Sequence, residues 1–215
     1  SDGIGLGLTR RLLDFGWQVH GLSRRPVELD HQYYRHTVAD VTSGQFPDLV
    51  AHAAKTAQDL CVYCAGIGEP LDYDRLDIQR KVVEVNLMGA VRTIEEVLPG
   101  MFQAQSGHII VLTSIADVLL FDEAPGYPAS KAGLSTYVES LALALKGGPV
   151  AITNVRFGFV DTKMAKGDHK PMMMTVARAV DHILRCVDRR PIRYTRPRFM
   201  GVLAAVMGFW DRVRL

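Results

Sequence analysis

Tyr127 and Lys131 stand four residues apart in GYPASKAGL, the spacing at which two side chains share one face of a helix. A phenol beside an ammonium group can exchange a proton near neutral pH, because the positive charge favours phenolate. Ser114 closes the apolar run GHIIVLTS and brings a hydroxyl able to donate to a carbonyl oxygen. Together these groups suit proton transfer at an oxygen of a small substrate. A second chemical signal lies in SDGIGLG, where Gly3, Gly5 and Gly7 precede an apolar-periodic run. Glycines ahead of a helix let backbone amides come close to a phosphate, so this loop suits a dinucleotide.

Groups so placed need strands that end, and helices that begin, along one edge. Residues 17–23, 60–66, 107–114 and 150–158 are short apolar or β-branched runs bounded by polar residues, Gly or Pro, and read as buried parallel strands. Helical patterns occupy residues 6–15, 45–57, 77–101, 128–146 and 175–188. This alternation predicts an α/β fold: a doubly wound parallel sheet between two helical layers, α/β/α, with ligands at the carboxyl ends of the strands. Residues 25–37 are polar and short, so the helix due there is expected to be clipped or irregular.

The length of 215 residues suits one domain over residues 1–215, and a formal charge of +2 gives no footprint for nucleic acid. Three cysteines do not form a secreted disulfide framework, which points to a reducing, cytoplasmic setting. Cys61 and Cys64 form a CxxC, but residues three apart on a strand face opposite ways, so apolar packing is expected instead of a dithiol or a zinc site. The histidines show no ligand spacing, and no metal is implied.

Further motifs follow in order: Asp40-Val41, CAG at Cys64, Ala65 and Gly66, VEVNLMG with Asn86, and RFGFVDT ending at Thr162. With the glycine loop and the Ser-Tyr-Lys set, they make the chain similar to the short-chain dehydrogenase/reductase family, Rossmann-type NAD(P)-dependent oxidoreductases with a YxxxK active site. SDGIG resembles the last five positions of that family's TGxxxGxG loop. The resemblance implies that the Thr-Gly half and a first strand, about ten residues on the βαβ template, precede Ser1. It also implies a catalytic set of Asn86, Ser114, Tyr127 and Lys131. The implied cofactor contacts are Ser1, Gly3, Ile4 and Gly5 in the loop, Arg24, Asp40 and Val41 on the adenosine side, Ala65 and Gly66, then Asn86, Tyr127 and Lys131, and finally Gly158, Val160 and Thr162.

By the same resemblance, hydride passes between nicotinamide and a carbonyl or alcohol carbon. Tyr127 would protonate the oxygen, Ser114 would hydrogen-bond it, Lys131 would lower the tyrosine's pKa and bind ribose, and Asn86 would position a relay water. The chain departs from the family pattern at Cys64, in place of an asparagine of NNAG, and at Phe157, in place of the proline of PG. Arg24 and Arg25 stand where a carboxylate would mark NAD, and a guanidinium suits a 2′-phosphate, so NADP(H) is expected over NAD(H). Asp2 would repel that phosphate if it faced it. The second class of function is a catalytically idle NAD(P)-binding sensor or interaction protein.

A lid is expected at about residues 163–174, where Met164 and Met172 to Met174 would either line a pocket for a hydrophobic substrate or pack the next helix. The C-terminal strand and helix, about residues 191–215, carry the apolar residues 199–210, and five arginines (Arg189, Arg190, Arg193, Arg196 and Arg198) precede these. Twelve residues are too few to span a bilayer. The segment either packs on a neighbouring subunit of a homodimer or homotetramer, or lies on an anionic membrane surface. Subunit packing is the first expectation, since apolar patches mostly mark protein contacts.

Overall fold

The structure is a computed structural model and describes residues 1–56, 58–165 and 172–214. Helix α1 (Gly3–Asp14) leads into β1 (Val19–Ser23) and β2 (Tyr34–Val38), and α2 (Phe46–Ala53) into β3 (Leu60–Tyr63). Next come α3 (Asp77–Val83), a π turn (Glu84–Met88) and α4 (Gly89–Gln103), which run on as one helical stretch to β4 (Gly107–Ser114). A 3₁₀ turn (Ile115–Val118) precedes α5 (Gly126–Ala144), β5 (Val150–Phe157), α6 (Val176–Arg189), β6 (Arg193–Arg196) and α7 (Arg198–Val213).

Strands β3, β4, β5 and β6 form one parallel sheet in that order. β4 is buried at every position and β5 at all but one, because helices cover both faces of a parallel sheet; this is why both read as near-continuous apolar runs. Alternation along β4 feeds two cores. Ile109 and Val111 meet Ile94 and Leu134 of α4 and α5, while Ile110 and Leu112 meet Leu8, Val180 and Ile183 of α1 and α6. Cys61 and Cys64 fall into opposite cores in the same way.

β1 and β2 form a separate parallel pair. A cavity of about 1060 Å³ runs between β1 and β3, lined by Val19 and Gly21 on one side and Leu60 and Val62 on the other, and continues to the carboxyl ends of the strands.

Several boundaries differ from the sequence reading. α1 starts at Gly3, not residue 6, because Gly3 takes φ +54, a turn that only glycine makes without strain. α2 stops at Ala53, and residue 57, the expected helix end, lies outside the described residues. Residues 25–37 hold no helix, and a strand not foreseen there, β2, begins within them. Its polar side chains hid it: the Tyr34 hydroxyl sits 2.8 Å from His36 Nδ1, and His20 Nε2 from β1 sits 2.8 Å from Thr37 Oγ1.

Candidate active site

Ser114 is the last residue of β4, and its extended backbone turns at once into the 3₁₀ turn, where its Oγ accepts from the Ala116 amide at 3.1 Å. The turn is anchored by Asp117, whose carboxylate accepts from Ser135 of α5 and from two nitrogens of Arg156 of β5, all buried. A buried pair satisfied on both sides fixes geometry, so the mouth of β4 is held against β5 and α5.

Tyr127 and Lys131 sit in the first two turns of α5 and face the same way, with Nζ 5.9 Å from the phenol ring centroid. Lys131 is buried, and Nζ donates to the Leu112 carbonyl at 3.1 Å. Burial drives its pKa down to about 8. Burial also raises the Tyr127 phenol, and the nearby Ser114 hydroxyl only partly opposes this. The lowered tyrosine pKa anticipated from the ammonium is therefore not the direction in the free pocket, where desolvation leads.

Asn86 lies in the π turn, fully buried. The extra residue of a π turn re-aims a side chain, and such turns recur at functional sites. Asn86 Oδ1 accepts from the Ile67 amide at 2.8 Å, and Nδ2 donates to the Ile67 carbonyl and to Ser130 Oγ, each at 2.9 Å. Both side-chain donors are committed, so the side chain clamps the loop after β3 to α5. Ser130, which in turn donates to the Tyr127 carbonyl at 2.7 Å, was missed by the sequence reading. Its position three residues after Tyr127, on the same helix face, was the available signal.

Ser114, Tyr127 and Lys131 line the large cavity, together with Ser1, Gly3, Ile4 and Gly5 from the start of α1. Arg24, Asp40, Val41, Ala65, Gly66, Gly158, Val160 and Thr162 line it too, so among the candidate residues only Asn86 stands behind its wall. A Cβ on Gly66 would lie 3.4 Å from Asn86 Oδ1 and 3.6 Å from Lys131 Nζ, which measures how close this loop runs to both. Asp40 Oδ1 accepts from the Thr42 amide and hydroxyl, and the amide bond leads in holding its carboxyl below the ordinary value.

Asp2 pairs with Arg25 at 2.7 Å and with Lys163 at 3.3 Å. Burial alone would raise its carboxyl, but these two cations together hold it low. Arg25 is thus engaged, whereas Arg24 is exposed at the cavity with no ion pair among the described residues. The methionines divide. Met164 lines the cavity, Met174 packs in the core beside Val160, and Met172 is exposed. Residues 166–171 of the expected lid lie outside the described residues.

A family profile described as short chain dehydrogenase matches residues 1–172. An uncharacterized oxidoreductase of Myxococcus xanthus is 35% identical over 157 residues, 72% of this chain and 59% of that protein, so the match spans under two thirds of that relative's length. A second, from Mycobacterium tuberculosis, is 28% identical over 92% of this chain and 85% of its own length. Among solved structures, a short chain dehydrogenase from Burkholderia cenocepacia in complex with NADP superposes with a TM-score of 0.84 at 24% identity, covering 99% of this chain and 90% of that one.

Proposed function

Because the chain belongs to the short-chain dehydrogenase family, we propose that it is an NADP(H)-dependent oxidoreductase interconverting a carbonyl and an alcohol on a hydrophobic substrate. The observation that carries this reading is the single cavity shared by the Ser114, Tyr127 and Lys131 side chains and the amino end of α1.

The residues present fit a nicotinamide dinucleotide. The first amides of α1 have no intrahelical acceptor and no side-chain cap, which leaves them for a pyrophosphate. A Cβ at Gly3 would come within 3.3 Å of Thr162 Cγ2, so glycine keeps the floor of this cradle open. Gly5, Asp40, Ala65, Gly66, Gly158 and Val160 would form the remaining wall. Arg24, exposed at the cavity with no ion pair among the described residues, supports binding of a 2′-phosphate. When bound, the dinucleotide supplies the hydride chemistry.

The chain's own groups handle the proton. The Tyr127 hydroxyl donates its proton to the substrate oxygen in reduction and recovers it in oxidation. Ser114 Oγ donates a hydrogen bond to the same oxygen as negative charge develops there. Lys131, when charged, stabilises the phenolate left behind, and Asn86 holds the loop at residues 64–68 in register with Tyr127. Met164 and Phe121, both at the cavity, support an apolar substrate. The reading takes residues 1–215 as one domain that self-associates as a dimer or tetramer, as the family resemblance implies.

The test is NADPH and NADH oxidation against a panel of carbonyl compounds. Turnover is expected with kcat/KM higher for long-chain than for short polar ketones, and Arg24→Ser is expected to cut the NADPH preference about tenfold. NADPH binding without turnover of any carbonyl would favour the idle sensor instead.

A further inference from the structure

Helix α7 is packed with its small residues inward. Gly201, Ala204 and Gly208 are buried, and at Gly208 the Val118 carbonyl approaches so closely that no Cβ could stand between them. Arg212 donates to that same carbonyl at 2.8 Å, which fixes the second half of the helix on the 3₁₀ turn after Ser114. The large side chains are left outside. Val202, Leu203, Val206, Met207, Phe209 and Trp210 are each between 49% and 66% exposed. At 3.6 residues per turn they cover about 160° of the helix circumference, centred opposite the glycine seam. A continuous apolar face of this kind marks a contact.

We propose that this face of α7 docks on the surface of an anionic phospholipid bilayer, with the helix lying in the headgroup plane. The sixteen residues of α7 do not cross: no helix among the described residues is long and apolar enough to span a membrane. Charge selects the occupant. Exposed Arg198 and Arg214 stand at the two ends of the apolar face with Arg196 just before it, and Asp211 is the helix's only acid. Arginines flanking an apolar face that carries Phe and Trp suit an anionic headgroup layer. A second copy fits less well, because antiparallel pairing about Val206 sets Arg198 of one chain against Arg214 of the other.

The 3₁₀ turn that carries α7 leads toward the active site. Past the 3₁₀ turn, Leu120 and Phe121 are 45% and 37% exposed, and Phe121 lines the large cavity. A membrane contact through α7 thus lies beside one margin of the pocket. The inference does not rest on the substrate reading.

The test uses the full chain with vesicles of phosphatidylcholine alone and mixed with phosphatidylglycerol. Flotation with the mixed vesicles is expected, weakened by salt and reduced about fivefold by each of Arg198→Ser and Arg214→Ser. A blue shift of tryptophan emission on binding is expected to vanish in Trp210→Phe. The double variant Leu203→Ser/Trp210→Ser, changed only at exposed positions, is expected to keep its thermal midpoint and to lose flotation. Failure of the wild type to float with anionic vesicles would overturn the proposal. So would sedimentation in which the wild type is an oligomer that the double variant dissociates, since a second copy would then own the face.

Discussion

Burial takes the charge from Lys131 and keeps the proton on Tyr127. With the lysine lowered to about 8 and the phenol raised, Lys131 is the first of the two to titrate as pH rises. The proposed reduction needs the ammonium charged, so kcat/KM is expected to be level at lower pH and to fall above about 8, with the limb displaced upward in Lys131→Arg. Stability follows from the same shift. The native lysine gives up its proton near 8 and the unfolded one near the ordinary lysine value of 10.5, so between those values the unfolded chain holds more protons. Stability should therefore rise by as much as about 3 kcal/mol across that window, with the full cost of the buried charge present below it. Urea titrations of wild type and Lys131→Met would check this; equal pH dependence in both would contradict it. The identities of Ser114, Tyr127 and Lys131 were legible from type and spacing. The sign of the tyrosine shift was not, because it depends on how much water the fold excludes.

Among elements, the π turn at Glu84–Met88 does the most to position the site. The apolar period over residues 77–101 reads as one helix, and the helical stretch is indeed continuous; one extra residue in a turn scarcely disturbs a period of 3.6. Yet that residue aims Asn86 at Ile67 and Ser130. Asn86→Ala leaves the half-buried amide and carbonyl of Ile67 without these partners. It is expected to cost about 2 kcal/mol by chemical denaturation and to raise the KM for cofactor more than it lowers kcat. A variant as stable as wild type with unchanged KM would remove the clamp from the account. Strand β2 shows the opposite limit, since Tyr34 and His36 satisfy each other, Thr37 pairs with His20 of β1, and no apolar run forms.

For the whole molecule, alternating strands and helices were enough to foresee a parallel sheet between helical layers. β4, covered on both sides, matched its expected range of residues 107–114 because full burial demands an unbroken apolar run. Which strands pair was less visible. β1 and β2 pair with each other apart from the four-stranded sheet, with the cavity between. The outward face of α7 was hidden: an apolar segment looks alike whether it faces a core or a surface, and only the inward seam of Gly201, Ala204 and Gly208 tells them apart. The central claim is that one cavity binds the dinucleotide and delivers the proton through Tyr127. It is tested most directly by Tyr127→Phe in the full chain, following NADPH oxidation with a hydrophobic carbonyl substrate alongside NADPH titration. The account predicts that turnover falls about 10³-fold while NADPH binding is kept; wild-type turnover in the variant would contradict it.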